Sequence, residues 1–168
     1  MAVPAKSSLF DPLTVEIRAA APRDLPGIIE AWDELSALHA TLDSAFERSE
    51  RWQEEYRHFV RSLIGREDAL VVVAVHDREL IGYGVGRISV LPGFFQLRRR
   101  GYVHDVVTRE SYRKKGVGRR LAESLLAWMR DEGISTVELT VAVRNADAVA
   151  FWDRLGFVSY MHHLKRQL

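Results

Sequence analysis

The sequence predicts an α/β fold in which strands alternate with amphipathic helices around a single core. Three observations carry this. Runs rich in β-branched residues, Ala69 to Val75 and Leu80 to Leu91, flank the polar stretch His76-Asp77-Arg78-Glu79, the pattern of a hairpin. Apolar residues recur at helical spacing in two stretches, Leu25, Ile28, Ile29, Trp32, Leu35 and Leu38, then Val117, Leu121, Leu125 and Trp128. A strand-like run, Tyr102 to Thr108, passes through a basic, glycine-bearing turn into the second of these helices. A chain of 168 residues is long enough for one sizeable core, here assigned to residues 14–168.

Taken in order, residues 1–13, with Pro4, Ser7, Ser8 and Pro12, read as a flexible lead-in. Thr14 to Ala20 alternates as a first strand, and a helix starts at Asp24. A second helix runs from about Arg48 to Ile64, with Trp52, Tyr56, Phe59, Val60 and Leu63 on its buried face. The third strand carries Gly82, Gly84 and Gly86 at period two, so all three share a face. Either a helix packs closely there or substrate is given room. Pro92-Gly93 breaks the strand, Phe94 to Arg100 is a loop, and Tyr102 to Thr108 is the fourth strand. Gly116 to Glu132 is a helix stopped by Gly133, and Thr136 to Val143 alternates as the fifth strand. A further helix ends at Leu155-Gly156-Phe157, and a final strand covers Val158 to Lys165.

Composition narrows the function classes. Twenty-four basic and 23 acidic residues leave a net charge of +1, which points away from nucleic acid and anionic membrane as partners. With no cysteine there is no thiol nucleophile and no cysteine metal site, and the six histidines are scattered, so no metal is expected. The first residues lack the apolar core of a signal peptide and no stretch is long enough to span a bilayer, so the expected location is cytoplasmic.

The richest stretch is Arg113-Lys114-Lys115-Gly116-Val117-Gly118-Arg119. The first N–H groups of a helix have no intrahelical acceptor, and the helix dipole favours an anion beside them. Glycine at 116 and 118 lets that backbone approach a phosphate, and Lys114, Lys115, Arg119 and Arg120 add charge. Downstream the chain reads Asn145, Ala148, Phe151, Trp152, Gly156 and Phe157 in helical register. Together the two segments resemble the GNAT superfamily of N-acetyltransferases, through its Arg/Gln-x-x-Gly-x-Gly/Ala pyrophosphate motif and its Asn-x-x-Ala-x-x-Phe-Tyr-x-x-x-Gly-Phe helix. The motifs cover residues 101–157, and the looser likeness runs from 14 to 166.

The resemblance implies a mixed, mainly antiparallel sheet splayed between strands 4 and 5, with helices on both faces. It also implies acetyl-CoA as co-substrate. Arg113 to Arg119 would hold the pyrophosphate, Val106, Val107 and Thr108 would join the cofactor site, and Asn145, Ala148, Phe151 and Trp152 would flank the pantetheine and thiol. One departure stands out: the family's usual tyrosine is Trp152, whose indole cannot deliver a proton at neutral pH.

Acetyl transfer to an amine needs a neutral nucleophile, and an amine of pKa ~10.4 is neutral in only about one molecule per few thousand at pH 7. Even alternation on the fourth strand puts Tyr102, His104, Val106 and Thr108 on one face and Val103, Asp105 and Val107 on the other. His104 titrates in the useful range and is the candidate base, while Asp105 reaches the same cleft if a β-bulge intervenes. The resemblance implies an oxyanion donor at the N–H of Val106 or Val107. With no cysteine for a covalent intermediate, attack is direct within a ternary complex.

The acceptor is a small-molecule or peptide amine, with His39, Asp43 and Tyr102 as candidate contacts. A homodimer across the C-terminal strand is possible. Two rival classes are a non-catalytic acyl-CoA-binding module and a P-loop nucleotidase. The second lacks the Gly-Lys-Ser/Thr its Mg-nucleotide chemistry requires.

Overall fold

The computed structural model describes residues 14–166, so the expected lead-in at 1–13 lies outside the described residues. Strands β1 (Glu16–Ala19), β2 (Ala69–His76), β3 (Glu79–Val90), β4 (Arg99–Thr108) and β5 (Val137–Leu139) form one sheet in the order β1-β2-β3-β4-β5. Neighbours are antiparallel except β4 and β5, which are parallel. Helices α1 (Leu25–Leu42), α2 (Trp52–Leu63), α3 (Val117–Asp131) and α4 (Ala146–Arg154) complete the domain. The β2–β3 hairpin turns at Asp77 and Arg78, both with positive φ (48° and 69°), as the two central residues of a type I′ turn must be.

Both faces of the sheet are covered, which is why β2 reads as a nearly continuous apolar run. On one face α3 sets Leu121, Leu125 and Met129 against Val72, Ala74, Ile81 and Val103. On the other, α1 and α2 set Leu25, Ile28, Ala31, Val60 and Leu63 against Val71, Val73, Tyr83, Val85 and Val107.

The glycines of β3 serve helix packing. A Cβ at Gly84 would lie 3.1 Å from Leu125, and one at Gly86 would lie 2.8 Å from Met129. On β4, a Cβ at Gly101 would lie 2.5 Å from the Met129 sulfur. The missing side chains form the seat of α3, and the alternative of room for substrate is not what these positions provide.

Three expectations need correction. The fifth strand is Val137–Leu139 only, because its pairing with β4 covers just Gly101, Tyr102 and Val103 before the two part. Residues 157–166 form no strand, so no edge is available there for a homodimer of the expected kind. So short a β5 offers little to pair with, and side chains tether the segment instead: Tyr160 donates to Glu138 (2.9 Å) and Lys165 pairs with Asp43 (2.5 Å). Trp128 is half-buried, and the fourth turn of the α3 stripe is completed by the fully buried Met129.

The glycine track yields a stability ranking. A Cβ at Gly82 would sit 2.6 Å from the Val107 carbonyl oxygen, where backbone must move, whereas Gly86 faces the flexible end of Met129. Gly82→Ala is expected to lose about 1–3 kcal/mol and Gly86→Ala less. Urea denaturation of the two variants checks the order.

Candidate functional site

The centre of the candidate site is an irregularity in β4. Val85 pairs with Asp105, but Gly86 pairs with Val103, so β4 carries one extra residue, His104, opposite β3. The even alternation read from the sequence therefore fails at this point. Val103 and Val106 pack on the α3 side, while Val107 joins the core beneath α1 and α2. The bulge brings His104 and Asp105 to the same side, towards α2. The ring of His104 lies edge-on to Tyr102 (4.9 Å) and to Phe59 of α2 (5.9 Å). Asp105 accepts a hydrogen bond from the hydroxyl of Tyr56, also on α2, at 2.7 Å.

The two groups are shifted in opposite directions, each towards its neutral form. Desolvation and then the charge of Arg87 push the His104 pKa down from its ordinary value. Burial pushes the Asp105 carboxyl up, and the hydrogen bond from Tyr56 pulls it partly back. Both shifts follow from the cost of holding charge away from water. Tyr102, on the same side, hydrogen-bonds Thr140 through its hydroxyl at 2.8 Å.

Beyond Val103 the outer edge of β4 has no strand against it among the described residues. This open stretch, Val106 to Thr108, leads to the turn before α3. Lys114 (φ 59°) and Gly116 (φ 83°) both take left-handed conformations, which turn the chain sharply into the helix. Nothing lies within 4 Å of a Cβ built on Gly116. Val117 is buried (1% exposed) and anchors the first turn in the core, leaving its N–H and those of Gly118 and Arg119 without intrahelical acceptors.

The basic side chains are less available than the sequence suggests. Arg113 donates from Nε to the Thr108 carbonyl (3.3 Å), and Lys115 lies over the Tyr112 ring at 5.3 Å. Arg119 pairs with Glu123 (2.7 Å), and Arg120 reaches back to the Val15 carbonyl (2.9 Å). The free N–H groups of the first turn and the helix dipole add to this positive charge, an arrangement that favours an anion.

Gly118 ties the three motif segments together. Its Cβ would lie 3.2 Å from Thr108 Oγ1 on β4 and 3.8 Å from the Phe151 ring on α4. Asn145 caps α4 by accepting from the Ala148 N–H at 3.1 Å. Trp152 packs edge-on against Phe151 (4.8 Å) and Phe157 (5.2 Å) and against the core on the α3 side.

The expected acceptor contacts on α1 do not join this group. His39 lies beside Phe46 at 5.3 Å, its pKa lowered by burial. Asp43 caps the turn Ser44–Phe46 and pairs with Lys165, which holds its carboxyl below the usual range. Neither makes a hydrogen bond or ring contact with His104 or Asp105. Sequence reasoning placed Tyr56 on a buried helix face and gave Tyr83 no part. The available signal was chemical, since a buried tyrosine hydroxyl needs a partner.

A family model described as the acetyltransferase (GNAT) family matches residues 32–157. An N-alpha-acetyltransferase of Saccharolobus solfataricus is 32% identical over 93 residues, 51% of this chain and 54% of that protein. N-alpha-acetyltransferase 30 of Schizosaccharomyces pombe is 33% identical over 105 residues, 62% of this chain and 65% of that protein. The match thus spans less than two thirds of either relative. Among solved structures, the tetramutant of a Bacillus halodurans protein superposes with a TM-score of 0.79 at 22% identity, covering 91% of this chain and 99% of that one.

The cradle can be tested without any reaction. Inorganic pyrophosphate is expected to shift the amide resonances of Val117, Gly118 and Arg119, and the effect should weaken as salt is raised. Gly118→Val is expected to abolish the shifts while the variant stays folded. Unchanged shifts in that variant would place the anion elsewhere.

Proposed function

The chain belongs to the acetyltransferase (GNAT) family, and on that premise we propose that it transfers acetyl from acetyl-CoA to a primary amine in a ternary complex. The observation that carries the reading is the bulge at His104, which puts two shifted ionisable groups on one side of β4, next to its open edge. Both relatives named above are N-alpha-acetyltransferases, so a protein N-terminus is the first acceptor class to try, ahead of small-molecule amines.

In this reading the pyrophosphate of acetyl-CoA sits on the N–H groups of Val117, Gly118 and Arg119. The thioester arm follows the edge of β4 between that strand and α4. Asp105 draws in the ammonium form of the acceptor, which releases one proton to solvent to become the neutral nucleophile. His104, whose pKa is lowered by desolvation and by Arg87, takes the second proton as the neutral nitrogen attacks the thioester carbonyl. A backbone N–H at Val106 or Val107 steadies the oxyanion, and collapse of the tetrahedral intermediate expels the CoA thiolate. Trp152 fills space beside the leaving sulfur without protonating it, and water supplies the proton. The absence of the family's tyrosine is what favours the rival reading, a module that binds acetyl-CoA and turns nothing over.

Free thiol measured against a panel of peptide and small amines separates the two readings. Release that depends on the amine is expected, and tight binding with no release by any amine would leave the binding module.

The pH profile tests His104. A base must be deprotonated to act, so kcat/KM should be full above the histidine pKa and fall as pH drops through it, with the limb below the ordinary value of about 6.5. His104→Ala should remove that limb and lower kcat/KM about a hundredfold, mainly in kcat, with acetyl-CoA affinity kept within a few-fold. Asp105→Ala should cost less and chiefly raise the KM for the amine. The opposite ranking would give the base role to the carboxylate.

A further inference from the structure

We propose that Tyr83 and Tyr56 form a directional hydrogen-bond chain that favours the ionised form of Asp105 and aims it at the acceptor, making Tyr56 a positioning residue for the amine. The proposal rests on the acetyl-transfer reading only in taking an amine as what Asp105 meets.

The direction of the chain follows from counting protons. The Tyr56 hydroxyl lies 2.7 Å from Asp105 Oδ2 and 2.8 Å from the Tyr83 hydroxyl. An ionised carboxylate only accepts, so Tyr56 must donate to Asp105. The Tyr56 oxygen is then free to accept, and Tyr83, fully buried (0% exposed), donates to it. Every hydroxyl proton in the chain has an acceptor.

A neutral Asp105 fits less well in either of its forms. If its proton sits on Oδ2 and points at Tyr56, the chain must reverse. The buried Tyr83 hydroxyl is then left without an acceptor among the described residues, a costly state. If the proton sits on the other oxygen, Tyr56 still donates, but to a neutral acceptor, in a bond about half as strong. The chain therefore opposes the effect of burial on this carboxyl.

The chain is rigidly placed. The Tyr56 ring stacks on Trp32 of α1 (4.4 Å, 22°), and Trp32 packs in turn on Trp52 (5.0 Å), so two helices fix the direction of one hydroxyl. Both phenols are raised well above their usual range by burial and by Asp105, and so remain donors throughout neutral pH. The titratable and charged groups around Asp105 are Tyr56 from α2, Tyr83 from β3 and its neighbour His104, with Arg87 of β3 acting on His104. From α1 the aromatic support is Trp32, which does not titrate. No arginine or lysine pairs with Asp105 among the described residues, so the two tyrosines alone perform this task.

Tyr56→Phe and Tyr83→Phe each remove one oxygen and keep the ring. The readouts are a carboxyl carbon NMR titration of Asp105, assigned with Asp105→Asn, and steady-state kinetics with the amine that the wild type accepts. In Tyr56→Phe, Asp105 is expected to titrate at higher pH and the amine KM to rise about fivefold, with kcat and acetyl-CoA affinity little changed. Tyr83→Phe should move both in the same direction by less. An unmoved titration in folded Tyr56→Phe overturns the proposal, and so does a moved titration with an unchanged amine KM. Should Tyr56→Phe fail to fold, Tyr83→Phe decides by the same two readouts. Should the wild type acetylate no amine, the transferase reading falls by itself, and the titration still decides whether the chain controls Asp105.

Discussion

The close approach of α3 to the sheet is the contact on which the rest of the molecule depends. Gly84 and Gly86 on β3 and Gly101 on β4 leave no side chains between the strands and Leu125 and Met129. The helix axis is therefore fixed by van der Waals contact with backbone, a stiffer constraint than side chain on side chain. Fixing the axis fixes the position of the first turn, beside the end of β4, where Gly118 faces Thr108 Oγ1. The first turn of α3 and a strand bearing ionisable side chains are thus held in one frame by apolar packing some distance from either.

What could be read from the sequence followed from how local each signal was. The turn from β4 into α3 was legible because a strand, a glycine turn and a helix start are contiguous, and φ of 83° at Gly116 is what a glycine in that turn serves. The hairpin at Asp77 and Arg78 was legible for the same reason. The faces of β4 were not. Alternation assumes that each residue of a strand opposes one residue of its neighbour, and the extra residue at His104 breaks that assumption through a pairing with β3 that the β4 sequence does not reveal. The final strand failed for a related reason. Val158 to Lys165 has the pattern of a strand, but a pattern needs an edge to pair with, and β5 extends over only three residues.

The bulge also accounts for the chemistry that the sequence left divided. With even alternation His104 and Asp105 face opposite ways, and only one of them can serve the cleft. With the extra residue they share a side, and their environments then differ in a useful way. Desolvation and then Arg87 lower the imidazole pKa, while burial raises that of the carboxyl and the Tyr56 hydroxyl pulls it partly back. Two adjacent residues on one strand are thereby shifted in opposite directions on the pH scale, the kind of perturbation that groups at functional sites often carry.

The electrostatics of the cradle carry one further consequence. Arg119 is paired with Glu123, while Arg113 and Arg120 donate to the carbonyls of Thr108 and Val15 and keep their charge. Beside these charges the turn presents a set of fixed N–H donors at the start of α3. Such donors are oriented before the ligand arrives and lose no side-chain entropy on binding, unlike lysines that must be gathered around a phosphate. They are also short-ranged and directional. A ligand held by such donors would be selected by the shape of the group that fits against the turn as well as by its charge.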